Sequence, residues 1–391
     1  MANDRPIYFD NAATTAMDPR VVEAMAPWQG ELYANPSSQH GPGRRARAAV
    51  NRAREQVAAL IGARPQEIVF TGSGTEADNL ALAGVIDANR GEPSHLVTSA
   101  IEHPAVLETA RALQRRGAAL TIVPVDSVGR VDPDDVRRAL RPDTRLVSIM
   151  AANNVIGTLQ PVNEIAEVAR AAGALFHTDA VQAAGATRID VAASAIDLLS
   201  LSAHKLHGPK GVGALYVRHG VALAPLIHGG GQERGLRSAT ENVAGIVGLG
   251  RAAELAADHL NSDIAGLTEL RDRLIAGIRD ACPNAYLIGD PVQRLAGHVC
   301  LGFSSQEGEA IRLLLALDEA GVAVSTGSAC SASHTAEPSY VLQALGFDAF
   351  RARGALRLTL SRNNTLEEVE RVIAILPGLV SSLRRIATSR R

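Results

Sequence analysis

The residues with the clearest capacity for chemistry lie in Ser202-Ala203-His204-Lys205-Leu206-His207-Gly208-Pro209-Lys210-Gly211. They follow an apolar run, Ile196-Asp197-Leu198-Leu199-Ser200-Leu201, whose length and aliphatic content are those of a buried strand. A lysine delivered from the end of such a strand, between two histidines and ahead of Gly-Pro, is screened from bulk water. Burial lowers an amine's pKa and makes it a nucleophile toward carbonyl carbon. Lysines of that kind form Schiff bases, and the usual cofactor that accepts them is pyridoxal phosphate. A lysine snorkelling beside a turn satisfies the same stretch. The two readings separate on whether the chain also supplies a partner for a pyridine nitrogen, a phosphate cradle and a substrate anchor.

Asp179 precedes Lys205 by 26 positions and, like it, follows an apolar run, here Ala174-Leu175-Phe176-His177, so both could flank one planar ring. An aspartate held against a pyridine nitrogen keeps it protonated, which turns the ring into an electron sink. Thr71-Gly72-Ser73-Gly74-Thr75-Glu76-Ala77-Asp78 reads as a turn opening a helix, with Thr75 and Asp78 as a capping pair. Backbone N–H groups at such a helix start form an anion site, although a well-capped helix without a ligand has the same sequence. The GK[ST] ending of a Walker loop is missing. A second Gly-rich loop, His228 to Asn242, ends at a helix start and contains Thr240.

Three cysteines, Cys282, Cys300 and Cys330, suggest neither a disulfide framework nor a CxxC zinc site. Cys330 lies among small polar residues, Thr326 to His334, which predict a mobile surface loop. A free thiol of pKa ~8.5 is only slightly ionised at neutral pH, yet it is still the strongest side-chain nucleophile there. Cys300, in His298-Val299-Cys300-Leu301-Gly302-Phe303, reads instead as a buried, inert thiol on a strand. His204-x-x-His207 has the i, i+3 spacing of a metal pair, but no further ligand cluster accompanies it, so no metal is expected.

The elements that must position these residues repeat as strand, polar loop, helix. Strands are predicted at 68–70, 96–99, 120–125, 146–150, 174–177, 196–201 and 212–217, with loops carrying Glu102-His103-Pro104 and Asn153-Asn154 after two of them. Helices between strands imply an α/β fold with a mostly parallel sheet covered on both faces, and ligands then sit beyond the strands' carboxyl ends. That rule gathers Gly74, Thr75, His103, Asn154, Asp179, Gln182 and Lys205 at one rim. A long helical pattern follows, around 252–280, and beyond it the alternation becomes irregular. The expected division is a large domain, 15–257, and a smaller α+β domain formed by 1–14 with 258–391.

With 391 residues, 46% apolar and 20% charged, the composition is that of an ordinary globular protein of about two domains. A formal net charge of -2 argues against a general polyanion binder, so no nucleic-acid partner is expected. Arg44, Arg45, Arg47, Arg52 and Arg54 cluster, but the interleaved Ala46, Val50, Ala53, Val57 and Leu60 make this the solvated face of an amphipathic helix. No apolar run reaches about eighteen residues, and the N-terminus lacks the basic and apolar regions of a signal peptide. The expectation is a cytoplasmic protein without membrane contact.

Many short motifs then stand in one order: Asp10-Asn11-Ala12-Ala13-Thr14-Thr15, Asn35-Pro36-Ser37-Ser38, Gly74-Thr75-Glu76, Glu102-His103, Asn153-Asn154, His177-Thr178-Asp179, the Lys205 stretch, Arg237-Ser238-Ala239-Thr240, Ser325 to Cys330 and Arg357-Leu358-Thr359-Leu360. In these the chain resembles, almost end to end, the class V aminotransferase family of pyridoxal-phosphate enzymes. Within it the chain is similar to the cysteine desulfurases of the NifS/IscS type. The resemblance implies a fold-type I transferase and a homodimer. It implies that Lys205 holds the cofactor and moves the substrate α-proton, that Asp179 pairs with the pyridinium nitrogen and that Gln182 bonds the phenolic oxygen. His103 would stack on the ring and serve as acid/base. Gly74, Thr75, Ser202 and His204 would hold the phosphate, with Thr240 reaching the neighbouring subunit's phosphate. Asn154 would lie by the cofactor and, with Arg357, anchor the substrate carboxylate. Cys330 would take sulfur from L-cysteine as a persulfide, for delivery to an acceptor protein.

The resemblance also sets expectations by its departures. Val155 replaces an acidic residue common after the paired asparagines, and Ser361 replaces a glycine common before Arg362. The sequence stops at Arg391, where housekeeping members continue into a tail that docks an iron-sulfur scaffold, which puts that partnership in doubt. Rival readings are a selenocysteine lyase, a cysteine C–S lyase or a class V aminotransferase, which need Lys205, Asp179 and Arg357 but no mobile thiol. A non-enzymatic metal or sulfur carrier would use only the histidine pair and Cys330.

Overall fold

The computed structural model describes residues 6–305, 310–327 and 338–388. In chain order it contains β1 (Ile7–Tyr8), α1 (Pro19–Met25), α2 (Gly41–Ile61), β2 (Ile68–Thr71), α3 (Gly74–Ala88), β3 (His95–Ser99), α4 (Pro104–Arg115), β4 (Ala119–Val123), α5 (Pro133–Ala139), β5 (Thr144–Ser148), α6 (Val162–Ala171), β6 (Leu175–Asp179), β7 (Leu198–Ser202) and β8 (Gly213–Val217). There follow α7 (Val243–Ala281), β9 (Ala285–Leu287), β10 (His298–Phe303), α8 (Ala310–Glu319), β11 (Val322–Ala323), β12 (Ser325–Thr326), α9 (Tyr340–Ala344), β13 (Leu356–Thr359) and α10 (Leu366–Thr388).

Seven strands form one sheet in the order β2-β8-β7-β6-β5-β3-β4. Its neighbours are parallel except where β8 pairs with β7 and β2. Because β8 is antiparallel to both, β2 runs the same way as β7, and six carboxyl ends share one rim. Apolar clusters cover both faces, one including Phe70, Val147, Phe176 and Leu199, the other Val69, Leu82, Leu96 and Leu215. Strands buried on both sides read as continuous aliphatic runs, which is why the sequence alone reveals them.

A four-stranded antiparallel sheet, β12-β13-β10-β9, packs on α10 and the second half of α7 through Leu274, Ile278, Leu301, Leu358 and Val372. The chain's beginning joins this region: β1 pairs in parallel with β11, and Phe9 is buried in the same cluster. One continuous helix, α7, touches both cores, with Ala256 in the large-sheet cluster and Leu274 in the other.

The basic face of α2 differs from expectation at Arg54. Its guanidinium forms two bonds, 2.7 and 2.6 Å, to the buried Glu233 carboxylate and lies 4.7 Å above the Phe70 ring. Helical spacing shows which face is polar, but not that a carboxylate 179 positions later folds onto one member of it. Arg44, Arg45, Arg47 and Arg52 are exposed, as expected.

Candidate active site

Ser202 ends β7, and Ala203–Lys205 form a single 3-10 turn. The turn closes tightly: Gly208 N–H donates to Ala203 O at 2.9 Å, and a Cβ on Gly208 would lie 2.8 Å from that same oxygen. The N-terminal segment straps it from outside. Thr15 N–H donates to His204 O, His207 N–H to Thr15 Oγ1 and Asp18 N–H to His207 O. The Lys205 amine therefore reaches the carbonyls of Ala12 and Ala13, the latter at 2.8 Å, and Gln182 Nε2 donates to the same Ala12 oxygen at 3.0 Å. Each histidine of the pair bonds this strap, His204 Nδ1 with Thr14 Oγ1 and His207 Nδ1 with Ala16 O, an arrangement that holds the turn.

Asp179 is the last residue of β6, 6% exposed, with Oδ1 accepting from Val181 N–H at 2.9 Å. Burial pushes its carboxyl pKa up, while the charges of His103 and Lys205 oppose that shift. His103 caps α4: its Nδ1 accepts from Ala105 N–H at 3.1 Å, and Pro104 occupies the first helical position. An accepting Nδ1 places the proton of the neutral ring on Nε2. Burial lowers this imidazole's pKa, with Asp179 acting the other way.

Beside these groups, α3 starts one residue before the expected cap. Ser73, not Thr75, is the N-cap, its Oγ accepting from Glu76 N–H at 3.0 Å, while Glu76 Oε2 accepts from Gly72 N–H. Asp78, expected as Thr75's capping partner, is instead buried at 1% exposure. The N–H groups of Gly74 and Thr75 have no acceptor among the described residues. Gly74 is required by packing, since a Cβ there would lie 2.7 Å from Val181 Cγ2. His204, with its pKa lowered to about 4 mainly by burial, is a neutral neighbour.

Across from the large sheet, Arg357 stands within β13 at 2% exposure. Its Nη1 donates to Asn154 O at 3.0 Å and its Nη2 to Asp10 Oδ1 at 2.7 Å, whereas its buried Nε has no partner among the described residues. Asn153 fixes the turn that presents Asn154: its Oδ1 accepts from Val155 and Ile156 N–H, and its Nδ2 donates to Ile101 O. Gly74, Thr75, His103, Asn154, Asp179, Gln182, Ser202, His204, Lys205 and Arg357 together line one cavity of about 660 Å³.

Residues 7–372 match the aminotransferase class-V family. The chain belongs to that family. It is 50% identical over 384 residues to a curated cysteine desulfurase IscS of Methanosarcina thermophila, covering 98% of this chain and 94% of the relative. A solved NifS-like protein is 40% identical with a TM-score of 0.90, covering 96% of this chain and 99% of that one. A solved SspA in complex with cysteine is 38% identical with a TM-score of 0.81, over 92% and 100% of the two chains. Within the family the chain groups with the cysteine desulfurases of the NifS/IscS type, and its fold is the NifS-like, pyridoxal-phosphate-dependent one.

The residues present fit that cofactor. Unaccepted N–H groups at the start of a fifteen-residue helix suit a phosphate, the Asp179 carboxylate suits a ring-nitrogen cation and the Lys205 amine borders the same cavity. Thr240 is exposed and does not line its own chain's cavity, and Cys330 lies outside the described residues. Cys300 is fully buried and its thiol is pushed up to about 12.

Sequence reasoning missed Asp10, Asp78, Met150, Lys210 and Ser325, which also line the cavity. One of them carries a signal in the sequence. Asp78 sits on the apolar face of α3 between Ala77 and Leu80, where an acid without a role is expensive.

Proposed function

We propose that this enzyme takes L-cysteine, releases L-alanine and receives the substrate sulfur as a persulfide on Cys330. The observation that carries the reading is the meeting of Lys205 and Asp179, from the ends of neighbouring parallel strands, with Arg357 at the same cavity. When bound, pyridoxal phosphate supplies a carbon electrophilic toward amines and an electron sink that acidifies the substrate Cα–H.

This chain's residues do the rest. Lys205 would hold the cofactor through its amine and would move the proton at the substrate Cα. Asp179 would keep the ring nitrogen protonated, Gln182 would bond the phenolic oxygen, and Gly74, Thr75, Ser202 and His204 would hold the phosphate. Arg357, with Asn154 beside it, binds the substrate carboxylate through a planar guanidinium shaped for it. His103 would stack on the ring and exchange a proton with the substrate thiol. The Cys330 thiolate attacks the substrate sulfur, so that an S–S bond forms as the C–S bond breaks. The electron pair stays with the carbon fragment, which takes up a proton and leaves as alanine.

Both described roots of the Cys330 segment support its place in this scheme. Ser325 lines the cavity, and Tyr340 Oη donates to Glu102 O, one residue before His103, at 2.6 Å. The same reading makes 15–257 the cofactor unit, and 1–14 with 258–391 the smaller one, and places the protein in the cytoplasm. It acts as a homodimer in which Thr240 completes the partner's phosphate site, and it passes its persulfide to an acceptor protein for iron-sulfur assembly or thiolation of a cofactor or tRNA.

Alanine formation from L-cysteine by cofactor-loaded protein, with a thiol reductant, tests the scheme in wild type and Cys330→Ala. The variant is expected to keep its cofactor and lose the activity. Full activity in the variant replaces the persulfide route with a C–S lyase.

A further inference from the structure

Three carboxyl groups are buried around the ring site: Asp78 on α3 at 1% exposure, Glu102 before α4 at 0% and Asp179 at the end of β6 at 6%. Glu102 is fully occupied, accepting from Ser99 Oγ at 2.6 Å and from Met150 N–H. Asp179 has Val181 N–H and faces His103 and Lys205. Asp78 lines the same cavity, but the charges that act on it are those of two further carboxyl groups, Asp179 and Glu102, and not of a cation. Among the described residues its ion-pair contact is His177 Nε2, at 3.7 Å from Oδ1, and Oδ1 has no hydrogen-bond partner.

The His177 ring cannot serve as a countercharge. It is completely buried, its pKa is lowered to about 3, and both nitrogens are used, Nδ1 with Ser148 Oγ at 2.8 Å and Nε2 with Ser200 Oγ at 3.0 Å. Ser200 interacts in turn with the Asp78 carboxyl. These groups form a polar chain across β5, β6 and β7 and up to α3. Ser200 is also the register partner of Asp179, and His177 lies two residues before Asp179 on the same face of β6. What holds this chain holds the strand end from which Asp179 emerges.

Two carboxyl groups in one dry pocket do not both ionise without a second cation. The burial of Asp78 and the charge of Asp179 both act to keep its proton on. We propose that Asp78 is a positioning residue that works as a neutral acid. It completes the Ser200-His177-Ser148 chain beneath the ring and leaves Asp179 as the ionised carboxylate opposite the ring nitrogen. The assignment of that nitrogen to Asp179 rests on the cofactor reading above, whereas the protonation of Asp78 does not.

The experiment compares wild type, Asp78→Asn, Asp78→Leu and, as a control, Asp179→Asn. Infrared difference spectra of the cofactor-free proteins at neutral pH are expected to lose one protonated-carboxyl band in Asp78→Asn; loss of an ionised-carboxylate band instead overturns the proposal whether or not the cofactor reading holds. With pyridoxal phosphate added, Asp78→Asn should keep the cofactor dissociation constant within about threefold and leave the pH midpoint of the bound cofactor's absorbance unmoved, because an amide replaces a neutral acid. Asp78→Leu, which cannot complete the chain, should weaken cofactor binding at least about tenfold. A midpoint lowered in Asp78→Asn as far as in Asp179→Asn shows a lost charge and contradicts the neutral acid. Wild-type affinity in Asp78→Leu contradicts the positioning role.

Discussion

On the large-sheet wall of the cavity, Lys205, Asp179, His103 and Asn154 stand at or just beyond the carboxyl ends of parallel strands, each held by a turn or a cap. On the opposite wall Arg357 stands inside an antiparallel strand, with Ser325 and Cys300 as register partners. The first wall follows from topology, because every parallel strand must end at the same rim before its crossover. On the second wall the side chain is fixed by partners, Asp10 and the Asn154 carbonyl, rather than by a strand end. In the proposed scheme the large sheet supplies the groups for the cofactor, and the small sheet supplies one cation, pinned by Asp10 and the Asn154 carbonyl, for the substrate.

If the division holds, damage to the two walls separates in the kinetics. The largest effect belongs to Lys205→Ala, which should lower turnover at least ~10³-fold and abolish the borohydride-reducible absorbance of the bound cofactor. Arg357→Lys should leave the cofactor spectrum intact and raise KM for L-cysteine about 10- to 100-fold, since an ammonium cannot reproduce the fork held between Asp10 and Asn154. A spectrum changed by Arg357→Lys would merge the walls.

A smaller effect tests the large-sheet wall through pH. Burial raises the Glu102 pKa from 4.5 to about 8, so the folded protein binds a proton there that the unfolded chain has already lost. Stability from this group is complete below about pH 4.5 and falls as pH rises toward 8, by on the order of a few kcal/mol for a shift of this size. Glu102→Gln should flatten that decline in thermal melts between pH 5 and about 8. A melting temperature equally pH-dependent in both proteins would mean that Glu102 is ionised in the fold.

The contrast between the walls also explains what is legible in the sequence. Aliphatic runs buried on both faces announce β3, β5, β6 and β7, and the rim rule then gathers His103, Asn154, Asp179 and Lys205 from residue order alone. Arg357 has no such local signal and is reached only through family resemblance. Pairings between distant segments stay hidden for the same reason: the Glu233 carboxylate on Arg54, the strap of residues 12–16 over the Lys205 turn and the Asp10 clamp on Arg357 depend on the assembled fold. The cap of α3 is ambiguous in the sequence because Ser73, Thr75 and Asp78 all suit helix starts by type. Only the backbone shows that Ser73 occupies the cap and that Asp78 turns inward.

The central claim is that the substrate sulfur moves to one particular thiol. One equivalent of L-cysteine is added to cofactor-loaded enzyme without reductant, and the protein is alkylated, digested and weighed by mass spectrometry. The account requires one added sulfur atom on the peptide containing Cys330 and none on those containing Cys300 or Cys282, both of which are buried. Alanine released with no sulfur on Cys330, or with the added sulfur on either buried thiol, would contradict it.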